Sequence, residues 1–425
     1  MKRLLKLFSA QHGSALRRNF MHVARANILA QIVSLLASPL LTRVYAPADF
    51  GAYALFSSIS AMIIAGAAWR FDWSVPNARS ATIAACLMVL GFSFLAASTI
   101  LTLMAVAALG RWAPDKLGNL GFLSYLLPIA VLAGGLAYLF QAWFVRSNDL
   151  RLVSKTKIAQ SGSNVALSVT GGLMHLGASG LIGASVASSW VGILTLIKNA
   201  PRFRLSLRLV SRLRLWITLR RFGREASWST LVAIVNAASF SAIVIALTAS
   251  FSLHEVGWYT FMYRLAAAPI SLISSALGQS FWSAAAQLAR DRQFNALQNL
   301  YLSTTRRLAL LAIPVVLGCL AGPFVVGPIF GEEKWGGAGY VLMALAPMLV
   351  GSIVFSSTSH LTVLQRQSMQ LFADGVRLML IVASIWVCKM AGFGFMAAVA
   401  LASVSSLIGH LILFWLHLRE LARFG

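Results

Sequence analysis

Residues 27–69 read NILAQIVSLLASPLLTRVYAPADFGAYALFSSISAMIIAGAAW, and this pattern decides the fold. Apolar residues fill both ends of the stretch, and a short turn with Arg43, Pro47, Asp49 and Gly51 separates them. Each apolar run approaches the ~20 residues that a helix needs to cross the hydrocarbon core of a bilayer. The stretch therefore predicts two transmembrane helices joined by a turn at one membrane surface.

The rest of the chain continues this pattern. Of its 425 residues, 59% are apolar and only 11% are charged, and the mean hydropathy is +0.79. Soluble domains carry about a quarter charged residues, so the composition predicts an all-α integral membrane protein. We predict twelve transmembrane helices. They cover residues 20–41, 52–69, 80–109, 120–145, 156–175, 178–197, 226–249, 261–287, 306–330, 338–363, 371–388 and 394–417.

The positive charge of the chain, formally +24, is unevenly distributed. If the N-terminus is cytoplasmic, most of the 35 lysines and arginines fall on the cytoplasmic side, as the positive-inside rule requires. Both termini are therefore expected in the cytoplasm. Topology and attraction to anionic lipid headgroups account for the charge, so no nucleic-acid partner is expected.

Residues 198–225 form the one long cytoplasmic loop of this topology. Basic side chains alternate in it with leucines and a tryptophan, which is typical of a segment that lies on a membrane surface and binds anionic lipids. The loop divides the chain into three parts. These are an N-terminal six-helix half at residues 1–197, the basic cytoplasmic linker at 198–225, and a C-terminal six-helix half at 226–425.

A short motif indicates that the two halves are repeats. The sequence DFGAY at residues 49–53 recurs as EVGWY at 255–259, with an acid, a glycine and a tyrosine in register. Because six is even, both halves would enter the membrane in the same direction, which is typical of alternating-access transporters with a site between the halves. We expect two parallel six-helix halves around a central cleft. Chance similarity between loops of similar composition is the alternative.

Polar residues inside the spans mark candidate binding positions, because a polar group in a bilayer costs free energy. Asn27, Gln31 and Ser34 lie on one face of the first span, and Asn236 has a similar place in the seventh. We predict that these side chains line the cleft and bind substrate. Hydrogen bonding between packed helices is the alternative role.

Charged residues near span ends are further candidates, since arginine binds phosphate through two parallel hydrogen bonds. Arg25 lies inside the first span, Arg70 and Asp72 close the second, and Arg264 lies just inside the eighth. We assign all four to substrate binding. The alternatives are snorkelling for Arg25, a surface ion pair or part of an inner gate for Arg70 and Asp72, and an interfacial belt for Arg264.

The sequence offers no signature of covalent chemistry. It contains no His-Glu-x-x-His, Gly-x-Ser-x-Gly, Walker A or dinucleotide-binding motif. Cys86, Cys319 and Cys388 have no paired spacing, so neither a disulfide framework nor a thiolate metal site is expected. We predict no catalytic residue, no metal ligand and no cofactor. The acids of the predicted outer loops, such as Asp49 and Glu255, are expected to cap helices or to serve as loop charges.

Three segments carry a resemblance to a known family. Residues 29–51, the sequence RFDWSV at 70–75, and VGWY at 256–259 followed by Pro269 resemble parts of Wzx-type polysaccharide-biosynthesis flippases. Those proteins belong to the multidrug/oligosaccharidyl-lipid/polysaccharide exporter superfamily. The family positions that carry over are Arg43, Pro47, Asp49, Gly51, Arg70, Asp72 and Gly257.

The resemblance implies an activity and a location. It implies a flippase that moves undecaprenyl-diphosphate-linked glycans across the bacterial cytoplasmic membrane by alternating access, with Arg43 among the substrate-binding residues. Glycan polymerase or ligase machinery is the protein partner that it suggests. Two other classes remain open: a cation or drug exporter of the same superfamily, and a membrane glycosyltransferase or polymerase. The exporter would be expected to hold a carboxylate deep in the membrane, and the enzyme would be expected to have larger outer loops.

Overall fold

Local sequence signals set the boundary between the first two helices, α1 (Ser14–Val44) and α2 (Pro47–Ala67). Pro47 lies in the first turn of α2, where the missing N–H has no intrahelical partner to lose. The carboxylate of Asp49 accepts a hydrogen bond from the backbone N–H of Ala46 at 2.9 Å. Asp49 therefore caps α2, as the sequence predicts.

The computed structural model describes residues 14–112, 114–147, 149–198, 210–291, 293–355 and 367–424, which contain helices and no strands. Side chains are undescribed for some residues within helices, including 14–25 and 27. The short α3 (Phe71–Ser74) follows α2. The remaining long helices before the linker are α4 (Ala81–Trp112), α5 (Leu127–Arg146), α6 (Leu150–Leu173) and α7 (Ala178–Lys198).

The second part of the chain begins with two long helices, α8 (Arg212–Ser250) and α9 (Leu253–Arg290). The helices that follow are α10 (Phe294–Leu320), α11 (Gly322–Phe330), α12 (Glu332–Trp335), α13 (Ala338–Ala344), α14 (Ala346–Val354), α15 (Gln367–Met390) and α16 (Phe395–Phe424). Because α8 begins at Arg212, the helix reaches well into the segment predicted as a linker. Residues 199–209 of that segment lie outside the described residues.

The helical membrane architecture predicted from the sequence is confirmed. In the part of the chain that the structure describes, eight helices are long and apolar enough to cross a membrane. They contain Pro47–Ala67, Ala81–Trp112, Leu120–Arg146, Ala178–Lys198, Arg212–Ser250, Phe294–Leu320, Met369–Met390 and Phe395–Ala422. The count of twelve remains a prediction, and residues 356–363 of the predicted span 338–363 lie outside the described residues.

The two repeated motifs meet at one end of the molecule. Gly51 in α2 packs against the backbone of Leu253, and Gly257 in α9 packs against the backbone of Pro47. A Cβ atom at either glycine would collide with the carbonyl oxygen of the opposing residue. Pro47 and Leu253 correspond in the repeat, as do the two glycines, so the contact is reciprocal as in a two-fold interface. We call residues 47–51 and 253–257 the glycine junction.

The glutamate of the second motif also caps its helix. The backbone N–H of Ser252 donates to Glu255 Oε2 at 3.1 Å, and the backbone N–H of Glu255 donates to Ser252 Oγ at 3.3 Å. This is a capping box, which satisfies two backbone donors at the start of α9. The predicted capping role of both acids is therefore confirmed, and the caps hold the two helix starts where the glycines meet.

Aromatic packing surrounds the glycine junction. The buried ring of Trp335 lies 5.4 Å from that of Phe50 and 4.7 Å from that of Phe261, and its indole N–H donates to the carbonyl of Thr42 at 3.2 Å. Edge-to-face and tilted ring pairs of this kind add about 0.5–1.5 kcal/mol each to the free energy of packing. The cluster therefore ties α12 to both repeated helices and closes this end of the fold.

The hydroxyl of Tyr45 adds a hydrogen bond beside the junction. It donates to the carbonyl of Ser168 in α6 at 2.6 Å. Burial and the nearby Asp49 carboxylate raise the pKa of Tyr45 to about 12, so the donor proton stays on the hydroxyl at physiological pH. The turn between α1 and α2 is thereby fixed to the α6 helix.

We predict that Gly51→Ala and Gly257→Ala destabilise the closed junction, because the added methyl group meets backbone that cannot rotate away. Overpacking of this kind costs about 1–3 kcal/mol. The melting temperature of purified protein in detergent should fall for both variants. Gly183→Ala in α7 is the control, since nothing lies within 4 Å of its added Cβ, and it should melt at or above the wild-type temperature. Equal melting of all three variants would contradict the packing argument.

Candidate functional site

A polar cavity of about 590 Å³ lies between α1, α2, α6, α7 and α9. Helix α6 contributes Lys157, Gln160, Ser161 and Asn164, whose i, i+3, i+4 and i+7 spacing places them on one face. The other lining residues are Ala30, Gln31, Ser34, Tyr53, Val165, Ser185, Ser188, Ser189 and Arg264. We call this space the polar cavity.

Hydrogen bonds between α6 and α7 hold the amides of the polar cavity in place. The Gln160 side-chain amide donates to Ser189 Oγ at 3.3 Å, and that of Asn164 donates to Ser188 Oγ at 3.3 Å. Each amide nitrogen carries two protons, and each amide also has a carbonyl oxygen. The side chains are therefore oriented and retain the capacity for further hydrogen bonds.

Arg264 links two helices that are distant in sequence at the polar cavity. Its guanidinium donates from Nη2 to Ser34 Oγ at 2.8 Å, linking α9 to α1. The side chain is exposed to the cavity space, whereas Ser34 is half-buried. The predicted residues Gln31, Ser34 and Arg264 thus line the same cavity although they are distant in sequence.

A second and larger cavity, of about 1070 Å³, lies at the end of the fold away from the glycine junction. Its basic residues are Arg70 after α2 and Arg221 and Arg224 in α8. The other lining residues are Ala65, Trp73, Tyr138, Glu225, Trp228, Ser229, Val232, Ala233, Val235, Asn236, Ala237, Gln370, Leu371 and Asp374. We call this space the arginine cavity.

The backbone at Arg70 is strained in a way that aims its side chain. Trp69 and Arg70 both have φ of 51°, a left-handed conformation that costs a non-glycine residue free energy. The guanidinium lies 3.9 Å from the Asp72 carboxylate and 5.0 Å from the Trp73 ring centroid. Its Nε is buried and makes no hydrogen bond with the residues that the structure describes. The kink therefore places a guanidinium with remaining donor capacity at the arginine cavity.

The carboxylate of Asp72 partly compensates the positive charge of Arg70. Burial raises the pKa of the Asp72 carboxyl, and the Arg70 guanidinium opposes that shift. The ion pair is long, so Arg70 is only partly neutralised by it.

Asp374 also lines the arginine cavity, and its negative charge is compensated by a nearby arginine. Asp374 Oδ1 lies 3.1 Å from Nη2 of Arg377, which is buried behind it in α15. Arg377 can only donate, so its Nη1 contact of 3.2 Å with His410 Nε2 makes that nitrogen the acceptor. His410 then donates from Nδ1 to the carbonyl of Ser406 at 2.8 Å. The Asp374 charge is thus already paired, and it competes weakly for the arginines of the cavity.

The structure distributes the predicted binding residues over three places. Gln31, Ser34 and Arg264 line the polar cavity, and Arg70 and Asn236 line the arginine cavity, with Asp72 beside Arg70. Arg43 is exposed near the end of α1 and lines neither cavity. The side chains of Arg25 and Asn27 lie outside the described residues. The polar stripes of the first and seventh spans therefore face different cavities. Whether any of these residues binds substrate remains a prediction.

Sequence reasoning missed two groups of cavity residues. The α6 face with Lys157 was detectable, because four polar residues with helical spacing inside one apolar span form the same signal as the stripe in the first span. Arg221 and Arg224 were assigned to a surface linker, since their basic neighbours fit a lipid-bound loop equally well. Only the packing of α8 against α2 and α15 brings these arginines to a cavity.

Comparison with known families identifies the chain. Residues 40–339 match the sequence profile of a family described as polysaccharide biosynthesis protein. The chain belongs to this polysaccharide biosynthesis family. The matched range covers the glycine junction and the basic residues of both cavities. Comparison with curated proteins gives no significant match.

The fold is similar to those of solved transporter and flippase structures. An inward-facing multidrug-resistance MATE family transporter of the MOP superfamily has a TM-score of 0.76 at 16% identity, covering 93% of this chain and 95% of the other. The lipid II flippase MurJ in an inward closed conformation has a TM-score of 0.68 at 12% identity, covering 95% and 89%. An outward-facing MATE transporter has a TM-score of 0.53 at 16% identity, covering 96% of each chain. The predicted multi-pass membrane fold is confirmed, and the family match confirms the predicted resemblance to polysaccharide-biosynthesis proteins.

We predict that both cavities contain water. In a variant whose buried Cys86, Cys319 and Cys388 are replaced by alanine, Asn164→Cys and Asn236→Cys should react with a charged methanethiosulfonate reagent. Leu101→Cys is the control, because Leu101 is 70% exposed in α4 but lines neither cavity. Lipid around it should suppress thiolate formation and reaction. If Leu101→Cys reacts as fast as the two cavity variants, the assignment of water-filled and lipid-facing surfaces is wrong.

Proposed function

We propose that this protein is a flippase that moves undecaprenyl-diphosphate-linked glycans from the inner to the outer leaflet of the bacterial cytoplasmic membrane. The observation that carries the proposal is the cluster of Arg70, Arg221 and Arg224 around the arginine cavity. A diphosphate headgroup carries negative charge that must be compensated when it leaves bulk water, and guanidinium groups do this with directed hydrogen-bond pairs. No covalent step is needed for the transfer.

The cavity wall also suits the remainder of such a substrate. Trp73, Tyr138 and Trp228 line the arginine cavity and are all exposed. Aromatic side chains with one apolar face and one polar edge are favoured where lipid meets water. They would accompany the first isoprenoid units of the lipid while the arginines hold the diphosphate.

The closed junction and the opposite cavity support transport by alternating access. The two repeats touch through backbone at the glycine junction, while the arginine cavity lies at the other end of α2 and α8. A rocking motion about the middle of the fold would open the junction and close the cavity. The higher TM-score with an inward-facing relative than with an outward-facing one supports an inward-facing state.

The orientation proposed from the basic residues places the arginine cavity on the cytoplasmic side and the glycine junction outside. The start of α8 supports this orientation. Leu213, Trp216 and Ile217 are exposed there, and the Arg220 guanidinium lies 3.6 Å from the Trp216 ring centroid. Such a helix surface would bind the anionic lipids of the inner leaflet. A glycan polymerase or ligase would act on the product in the outer leaflet.

We predict that Arg70→Ala, Arg221→Ala and Arg224→Ala each slow flipping of an undecaprenyl-diphosphate-linked glycan about 10- to 100-fold, since a hydrogen bond to a charged group contributes ~1.5–3 kcal/mol. Lysine at each position should restore activity only in part, because the two-pronged geometry is lost. The measurement is the amount of glycan that becomes accessible to a lectin added outside the proteoliposomes.

Arg212→Ala is the matched control, because Arg212 lies in the same helix, is exposed, and does not line the cavity. It should flip at the wild-type rate. A triple Arg70, Arg221 and Arg224 alanine variant that also flips at the wild-type rate at equal abundance would refute the diphosphate assignment. A cation or drug exporter is the second candidate, since Glu225 and Asp374 also line this cavity. Export of a lipophilic cation without glycan flipping would favour it.

A further inference from the structure

The turn between α2 and α3 contains two adjacent residues with a strained backbone. Trp69 and Arg70 both have φ of 51°, and the only other described non-glycine residue with positive φ is His175. A left-handed conformation costs free energy at every residue that carries a side chain, so such a pair persists only where the surrounding structure holds it. Glycine at either position would remove this cost. The side-chain contacts of Trp69 supply the compensation.

The aromatic residues on either side of Arg70 pack against the same ring of α4. The Trp69 ring is stacked on Phe94 with a centroid distance of 5.1 Å, and the buried Phe71 ring lies 5.6 Å from that of Phe94. Both neighbours of Arg70 are therefore held against α4. Arg70 itself lines the arginine cavity, so these two ring contacts fix the direction in which its side chain leaves the turn.

A hydrogen bond joins the same tryptophan to α8. The indole N–H of Trp69 donates to Ser227 Oγ at 3.1 Å, and the Ser227 hydroxyl donates its own proton to the carbonyl of Gly223 at 2.9 Å. Gly223 lies between Arg221 and Arg224 in the sequence, and both of these arginines line the arginine cavity. The two hydrogen bonds therefore connect the strained turn to the part of α8 that carries the other two guanidinium groups.

We propose that Trp69 is a positioning residue, which holds the strained turn and thereby keeps the Arg70 guanidinium in place for the diphosphate. This inference rests on the proposed flippase function and adds a residue that controls the affinity of its anion site. Neither Trp69 nor Ser227 lines the arginine cavity. The tryptophan therefore acts through Arg70 rather than on the ligand.

The hydrogen bond also makes the anion site sensitive to the position of α8. Trp69 lies two residues after the end of α2, and the sequence assigns α2 and α8 to different halves of the chain. Closure of the arginine cavity would move α8 relative to α2 and separate the indole from Ser227. The strained backbone would then relax, and Arg70 would turn away from the arginines of α8. The change of state would thus lower the affinity for the diphosphate and favour its release.

The test measures binding of farnesyl diphosphate, a short-chain lipid diphosphate, to purified full-length protein in detergent. Trp69→Phe keeps a ring for stacking on Phe94 but removes the indole N–H, and Ser227→Ala removes the acceptor of that N–H. Each variant should weaken binding about two- to tenfold, as expected for the loss of one hydrogen bond. Ser227→Thr keeps a hydroxyl group and should therefore bind as the wild type does.

Two matched controls isolate this hydrogen bond. Ser93→Ala in α4 removes an exposed hydroxyl that, like the one at Ser227, donates to the carbonyl four residues earlier but lies outside the arginine cavity. Trp386→Phe removes an indole N–H from a side chain that is 60% exposed in α15. Both controls should bind farnesyl diphosphate with the wild-type affinity. Equal weakening in the controls and in the two test variants would contradict the assignment to Trp69.

A double-variant cycle with Arg70→Ala separates positioning from general packing. If Trp69 acts through Arg70, then Trp69→Phe should have no further effect on the affinity once the guanidinium is absent. A merely structural loss would lower the affinity by the same factor in both backgrounds. That result, or wild-type affinity in both Trp69→Phe and Ser227→Ala, would overturn the inference.

Chemical labelling without any ligand separates the inference from the proposed function. Phenylglyoxal modifies accessible guanidinium groups, and mass spectrometry gives the rate of modification at Arg70. Trp69→Phe and Ser227→Ala should speed this labelling several-fold, because the relaxed turn frees the guanidinium from the cavity wall. Unchanged labelling would overturn the inference while leaving the flippase function intact. Faster labelling in a protein that binds no farnesyl diphosphate would support the positioning role of Trp69 and refute the proposed diphosphate site.

Discussion

The architecture depends on the close backbone contact at the glycine junction. Helix starts meet there without intervening side chains, because Gly51 faces the backbone of Leu253 and Gly257 faces that of Pro47. The two acid caps fix these helix starts, and the ring of Trp335 packs against both α2 and α9 beside them. The role of this contact is packing rather than ligand binding. It closes one end of the fold, so the space that the helices enclose must open elsewhere, at the polar and arginine cavities.

Much of this architecture was predictable because it depends on local signals. Asp49 and Glu255 each lie three residues after the N-cap position and just before an apolar run, which is the sequence pattern of a capped helix start. The recurrence of glycine two residues later predicted related halves, and the reciprocal contact gives a physical reason for both glycines. Gln31 and Ser34 were recognisable as cavity residues from their helical spacing and the cost of polar groups in a bilayer.

The remaining site residues depend on tertiary packing, which sequence periodicity does not encode. Arg264 and Ser34 are hydrogen-bonded although 230 residues separate them. Arg221 and Arg224 belong to a basic segment whose composition fits a lipid-bound loop, and only the continuous helix α8 carries them to a cavity. The left-handed backbone at Arg70 could not be predicted, because the positions with positive φ are Trp69 and Arg70 rather than glycine. Conversely, the resemblance that singled out Arg43 concerns a position that lines neither cavity.

The central claim is that the glycine junction and the arginine cavity open in turn. Distances between paired spin labels test it most directly, with one pair at Met174 and Met390 near the junction end and another at Asn77 and Ala422 near the cavity end. All four positions are exposed and outside both cavities. Addition of lipid-linked glycan should lengthen the first distance and shorten the second, and Gly51→Ala should lengthen the first without substrate. Distances that change in the same direction, or that do not respond to either treatment, would contradict the account.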